Sequence, residues 1–182
     1  GSEDALVRVQ LVSGTHALTT SLRAALRPGD TVLSVTGKPY DTLEEVLGIR
    51  GGAPGNLREF GVDYLQVDLK DGRVDFEGVK EKMTPAVKLI FMQRSTGYDW
   101  RPALSIADIE NTISYIKKLR KGLVFMVDNC YGEFLEEREP TEVGADIAAG
   151  SLIKNPGGGL ALTGGYIVGK KDLIGRAAAA LT

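Results

Sequence analysis

Short apolar, β-branched runs alternate along this chain with segments in which apolar residues recur every three or four positions. Continuous or alternating apolar runs build strands, and the 3.6-residue period builds helices. Their alternation predicts an α/β layer fold with a largely parallel sheet covered on both faces. Ala5 to Val12 is read as a buried strand that stops at Ser13-Gly14-Thr15, and Leu18, Leu22 and Leu26 then mark a helix ending at Pro28-Gly29-Asp30. Thr31 to Thr36 is the next strand, Tyr40 to Val46 a helix before the loop around Gly51, Gly52, Pro54 and Gly55, and Asp63 to Leu69 a half-buried strand.

The second half of the chain continues the pattern. Val79 and Met83 mark a short helix before the strand Val87 to Met92. Ile106, Ile109, Ile113 and Ile116 form one apolar stripe, with Ser105 and Asp108 placed for a capping box and Lys117, Lys118, Arg120 and Lys121 at the negative end of the dipole. Leu123 to Val127 is a continuous apolar run ending at Asp128-Asn129. Ile147 to Ile153 leads to Lys154, Tyr166 to Val168 is a further strand, and the chain reads as helical from Asp172.

Composition removes several function classes. A chain of 182 residues, 43% hydrophobic and 25% charged, has the material for one globular core. Its formal charge of −2 gives no electrostatic reason for a nucleic-acid partner. No apolar run has the length of a membrane span, and the first residues lack a secretory signal, so a cytoplasmic location is expected. Cys130 and His16 are the only residues of their kinds, which leaves no disulfide framework and no zinc cluster within one chain. No nucleophile motif accompanies them, and neither the dinucleotide nor the P-loop glycine pattern occurs.

Ligands of such sheets gather at the carboxyl ends of strands, and three segments fall there. Ser13-Gly14-Thr15-His16 stands at a helix start, where free N–H groups favour an anion such as phosphate, although the same turn serves as a plain N-cap. Asp128 leaves an apolar strand where a carboxylate needs a cation, a metal or a protonated ring nitrogen, or else caps the next turn. Tyr131, three residues on, either aims its phenol at the same ligand or packs as an aromatic. Lys154 follows an apolar strand and precedes Gly157-Gly158-Gly159; it is either a partly desolvated amine suited to a Schiff base or an exposed loop lysine, and the glycines either shape a site or form a mobile linker. A phosphate cradle, an acid for a heterocyclic nitrogen and an amine for an aldehyde are the three groups that pyridoxal 5′-phosphate requires.

On the segments VSGTHAL (12–18), PYDTLEEVLGIRG (39–51), QRSTGYDWRPALSI (93–106), DNCYGEF (128–134) and GSLIKNPGGGLALTGGYIVG (150–169), the chain resembles fold-type I pyridoxal-phosphate enzymes. The closest resemblance is to the aluminium resistance protein or methionine γ-lyase-like family, related to the cystathionine β- and γ-lyases. It implies a three-layer α/β large domain with a mainly parallel sheet over residues 1–182, without the usual N-terminal segment and C-terminal small domain. It also implies roles: Lys154 as the catalytic amine, Asp128 opposite the pyridinium nitrogen, Ser13, Gly14, Thr15 and Ser151 at the phosphate, Tyr40 stacked on the ring with a catalytic part, and Tyr131 at the ring hydroxyl. Arg94, Trp100 and Asn155 are candidates for the substrate pocket, and His16 stands where better-known lyases have a small residue.

The implied function is a carbon–sulfur lyase acting on a cystathionine- or methionine-type amino acid, working as a homodimer or homotetramer with its active site at the subunit interface. Another pyridoxal-phosphate reaction, such as transamination or decarboxylation, and a catalytically silent fragment serving as an interaction module are the alternatives.

Overall fold

The structure is a computed structural model and describes residues 3–181, so Gly1, Ser2 and Thr182 of the predicted 1–182 domain lie outside the described residues. In chain order the elements are β1 (Asp4–Arg8), α1 (Gly14–Ala25), β2 (Thr31–Ser34), α2 (Asp41–Leu47), β3 (Asp63–Gln66), β4 (Leu69–Lys70), β5 (Arg73–Val74) and α3 (Phe76–Lys82). They continue as β6 (Val87–Gln93), α4 (Ile106–Leu119), β7 (Val124–Asp128), β8 (Ile147–Ser151), β9 (Gly165–Gly169) and α5 (Lys171–Leu181).

Seven strands form one sheet in the order β1-β9-β8-β7-β6-β2-β3, and β4 and β5 pair as a separate hairpin. The run from β3 to β8 is parallel, as the alternation predicts. Period two sends neighbouring strand residues to opposite faces. Leu89, Phe91 and Met126 join α1, α2 and α5 in one core, while Ile90, Met92, Phe125 and Val127 join α3 and α4 in the other. The predicted stripe of α4 supplies Ile106, Ile109, Ile113 and Ile116 to that second core. Its capping box is present: the Asp108 N–H donates to Ser105 Oγ at 3.1 Å, and the Ser105 N–H donates to the Asp108 carboxylate at 2.9 Å.

Two strand predictions are corrected, and one strand takes a direction that the sequence reading left unstated. The run Ala5 to Val12 is not a buried strand: β1 ends at Arg8 and lies at the sheet edge, where only its central residue, Leu6, is buried. Val7 remains exposed on that edge, and Val9 and Val12, exposed as well, lie in the turn and loop that follow it, so β-branching there marks no core. Asp63 to Leu69 is two strands, because Val67 leaves β3 to donate its N–H to Ser34 and accept one from Gly37. Finally, β9 runs antiparallel to both neighbours, β8 and β1. A parallel return needs a long crossover, usually a helix, whereas residues 152–164 hold only a short 3-10 turn and a glycine-rich loop.

Candidate active site

Four local features bring side chains to one end of the parallel strands. After β1, Ser13 caps α1 by accepting the His16 N–H at 3.0 Å, which leaves the neighbouring first-turn N–H groups of Gly14 and Thr15 for an external acceptor. After β2, Tyr40 stands at the N-cap of α2, its own N–H held by the side-chain carbonyl of Gln93 at 3.0 Å. Strand β7 ends on Asp128, and β8 ends on Ser151. Lys154 follows three residues later, half-buried.

All eight site residues singled out from the sequence, Ser13, Gly14, Thr15, Tyr40, Asp128, Tyr131, Ser151 and Lys154, line one cleft of about 320 Å³. That volume lies in the range of small-molecule sites. Gly14 is needed for close approach: a Cβ there would lie 3.1 Å from Ser151 Cβ and 3.4 Å from Cys130 Sγ. Thr15 Oγ1 is hydrogen-bonded to the Tyr40 hydroxyl at 2.9 Å and to Thr42 Oγ1 at 3.0 Å, which fixes the aromatic ring on the wall of the cleft. Burial pushes the Tyr40 phenol up from its ordinary range, and the nearby Asp128 carboxylate adds to the shift, so the ring is a neutral surface at physiological pH.

Asp128 forms the floor. It is 2% exposed, and burial raises its carboxyl to about 6, with the Cys130 N–H, donated to Oδ1 at 3.1 Å, opposing the shift. A carboxylate in this position, raised mainly by desolvation, is stabilised by any cation that enters the cleft. Of the two readings of Lys154, the desolvated amine that loses its charge readily is the one the geometry disfavours. Its Nζ donates to the Tyr131 hydroxyl and sits 4.3 Å from the centre of that ring, and the hydroxyl raises the lysine further than its partial burial lowers it. The strand that precedes it ends at Ser151, so the amine projects from a loop above the core and not from the apolar strand.

The remaining candidates separate. Arg94 lines an adjoining cavity of about 560 Å³, and its guanidinium is committed to Leu104, Asn129, Gly132 and Glu136. Asn155 donates to the Glu133 carbonyl at 2.9 Å, and Trp100 is fully exposed. His16 Nδ1 accepts the Val12 N–H at 3.4 Å and thus helps close the turn before α1. Sequence reasoning missed Gln93, which lies beside Asp128 in the sheet register and also ends an apolar strand. The signal that flagged Asp128, a polar residue closing a buried run, applies equally to Gln93. Glu133 was also missed: it is buried, its carboxyl is raised by burial, and one of its oxygens accepts the Tyr166 hydroxyl at 2.7 Å.

A protein-family model described as Methionine gamma-lyase matches residues 1–182. The chain belongs to the methionine gamma-lyase family. Within that family's relatives it is 54% identical over 176 residues to the uncharacterized protein YnbB of Bacillus subtilis (strain 168), covering 96% of this chain and 42% of YnbB. It is 31% identical to an L-methionine gamma-lyase of Pseudomonas putida, covering 91% of this chain and 37% of that protein. Among solved structures, a carbon-sulfur lyase involved in aluminum resistance from Clostridium novyi NT superposes with a TM-score of 0.92 at 50% identity, covering 98% of this chain and 43% of that one. The chain therefore spans less than half the length of these methionine gamma-lyase family relatives.

Gly14→Ala tests the anion cradle. The added methyl group must displace Ser151, so affinity for a phosphate-bearing ligand is expected to fall about tenfold, equivalent to ~1.4 kcal/mol, with little change in melting temperature. Spectroscopic titration with pyridoxal phosphate and with pyridoxal as probes checks this: a loss confined to the phosphorylated probe marks an anion cradle at Gly14, and an equal loss for both would move the anion site elsewhere.

Proposed function

We propose that this chain carries the cofactor-binding half of a pyridoxal-phosphate-dependent carbon–sulfur lyase for a sulfur-containing amino acid of the cystathionine or methionine type, active as a homo-oligomer in the cytoplasm. One observation carries the reading: a single cleft gathers first-turn N–H donors, a buried carboxylate, an aromatic wall and an amine. That donor set fits the phosphate, ring nitrogen, ring face and aldehyde of the cofactor. The names of the relatives support the lyase assignment, since they include a methionine gamma-lyase and a carbon-sulfur lyase.

In this reading Gly14, Thr15 and Ser151 hold the phosphate, with Ser13 fixing the turn that presents their donors. Bound pyridoxal phosphate supplies an electron-withdrawing ring that stabilises negative charge at the substrate α-carbon. Asp128 would hold a proton on the ring nitrogen, because a positive charge placed there would stabilise the buried carboxylate. Lys154 would supply the amine that meets the aldehyde and would take and return protons at the substrate carbons. The Tyr131 hydroxyl, which accepts from Lys154, orients that amine, and Tyr40 excludes water from one wall.

Product analysis tests the reaction class. Protein supplied with pyridoxal phosphate and either cystathionine or methionine is expected to release a thiol, ammonia and a keto acid in equal amounts. Transfer of the amino group to an added keto acid without thiol release would replace the lyase by a transaminase. A protein that takes up no cofactor would overturn the enzyme reading altogether.

A further inference from the structure

The loop after β7 has an unusual backbone. Tyr131 and Phe134 lie at φ +67° and +64°, in the left-handed region. A bulky residue stays there only where its surroundings over-determine it. Tyr131 is also 55% exposed, so its own packing does not supply the restraint. The restraint comes from beneath the loop. Arg94 is 3% exposed, and its Nη1 donates to the Gly132 carbonyl at 2.7 Å and to Asn129 Oδ1 at 2.9 Å, while Nη2 donates to Glu136 at 2.7 Å. One planar guanidinium thus ties three points of the segment 129–136, a geometry that lysine does not reproduce. Contact is tight, since a Cβ on Gly132 would lie 2.4 Å from Arg94 Cδ.

Gly132 directly follows Tyr131, so the carbonyl held by Arg94 belongs to the residue after the strained one. The phenol of Tyr131 in turn meets Lys154 Nζ. We propose that Arg94 is a positioning residue for Lys154: it locks the 129–136 loop in the left-handed conformation that sets the Tyr131 hydroxyl against the lysine amine. The functional weight of this lock rests on the assignment of Lys154 as the reacting amine, but the coupling itself is a property of the ligand-free protein.

The test follows Lys154 in the absence of cofactor. Competitive acylation with a trace-labelled anhydride across pH, read by peptide mapping, reports where this one amine titrates. Besides Tyr131, the groups acting on it are Cys130, Tyr98 and Asp128, all of which the variants retain. Tyr131→Phe is expected to shift the Lys154 profile to lower pH, because the hydroxyl contact is the main cause of its elevation. Arg94→Lys keeps the charge near Glu136 but loses the fork, and it should shift the profile in the same direction. In the double variant, Arg94→Lys should add nothing to Tyr131→Phe.

A purely structural Arg94 would lower thermal stability and leave the Lys154 profile in place, or shift it equally with and without the Tyr131 hydroxyl; either result overturns the proposal. Where Arg94→Lys does not fold, Gly132→Ala and Glu136→Gln attack the same lock from above and from the solvent side, and an unmoved profile in the folded variants counts against it equally. Failure of pyridoxal phosphate to attach at Lys154 would overturn the functional reading while leaving this coupling intact.

Discussion

Lys154→Ala is expected to abolish covalent attachment of pyridoxal phosphate, with the borohydride-fixed label lost from the protein and not transferred to another lysine. Lys154 is the one lysine lining the cleft among the described residues, so no second amine stands beside the cradle and the buried carboxylate to replace it. On the proposed reading, in which the same side chain supplies the nucleophile and the proton carrier, turnover should fall by about a thousandfold or more. The state of the amine adds a kinetic signature. Tyr131 holds Lys154 above its ordinary range, and only the neutral amine attacks an aldehyde. Attachment in the parent protein should therefore accelerate about tenfold per pH unit through the neutral range, where the neutral fraction grows in that proportion. Peptide mapping after reduction reads the site, and stopped-flow absorbance reads the rate; a label on any other lysine sinks the assignment.

The parts of this fold set by local chemistry were legible in the sequence. The stripe and caps of α4 and the apolar runs of β6 and β7 form where the residues dictate, because both faces of those strands are buried and the pattern has no competing solution. The reversal of β9 was not legible, since Tyr166 to Val168 is as apolar as a parallel strand and only the connection before it sets the direction. The edge position of β1 escaped for a similar reason: β-branched residues extend a chain whether or not a second layer covers it. Among the site residues, those at strand and helix ends announced themselves, because a polar group closing an apolar run needs a reason. For Lys154 the sequence left a desolvated amine and an exposed loop lysine both open, and nothing local chose between them, as its partner Tyr131 is 23 positions away in sequence and meets it only through a left-handed backbone. Arg94 looked like a substrate ligand, and nothing local shows that its guanidinium is committed beneath the loop.

Asp128→Asn should stabilise the ligand-free protein and, on the proposed lyase reading, cripple catalysis. Burial raises the Asp128 carboxyl to about 6, above its ordinary value, so the folded chain binds this proton more tightly than the unfolded chain does. The stabilising effect of that proton is complete below about pH 4 and is lost as pH rises through about 6. At pH 7 the folded protein therefore carries a buried charge that the Cys130 N–H and Lys154 offset only in part, a net cost of about 2–3 kcal/mol for a shift of roughly two pH units. Asparagine removes the charge and keeps a side-chain oxygen for the Cys130 N–H that Oδ1 now accepts. Urea unfolding should find the variant more stable at pH 7 by about this amount and indistinguishable from the parent near pH 4. Turnover should fall by roughly a hundred- to a thousandfold, the scale set by losing a preorganised electrostatic group at the reacting centre. Addition of cofactor separates the two roles. A cationic ring nitrogen repays the buried carboxylate in the parent but finds only a neutral amide in the variant, so saturating pyridoxal phosphate should raise the parent's melting temperature more than the variant's. Equal cofactor-induced shifts would show that Asp128 faces no cation on the bound cofactor, and equal stabilities of parent and variant at both pH values would show that burial does not raise its carboxyl.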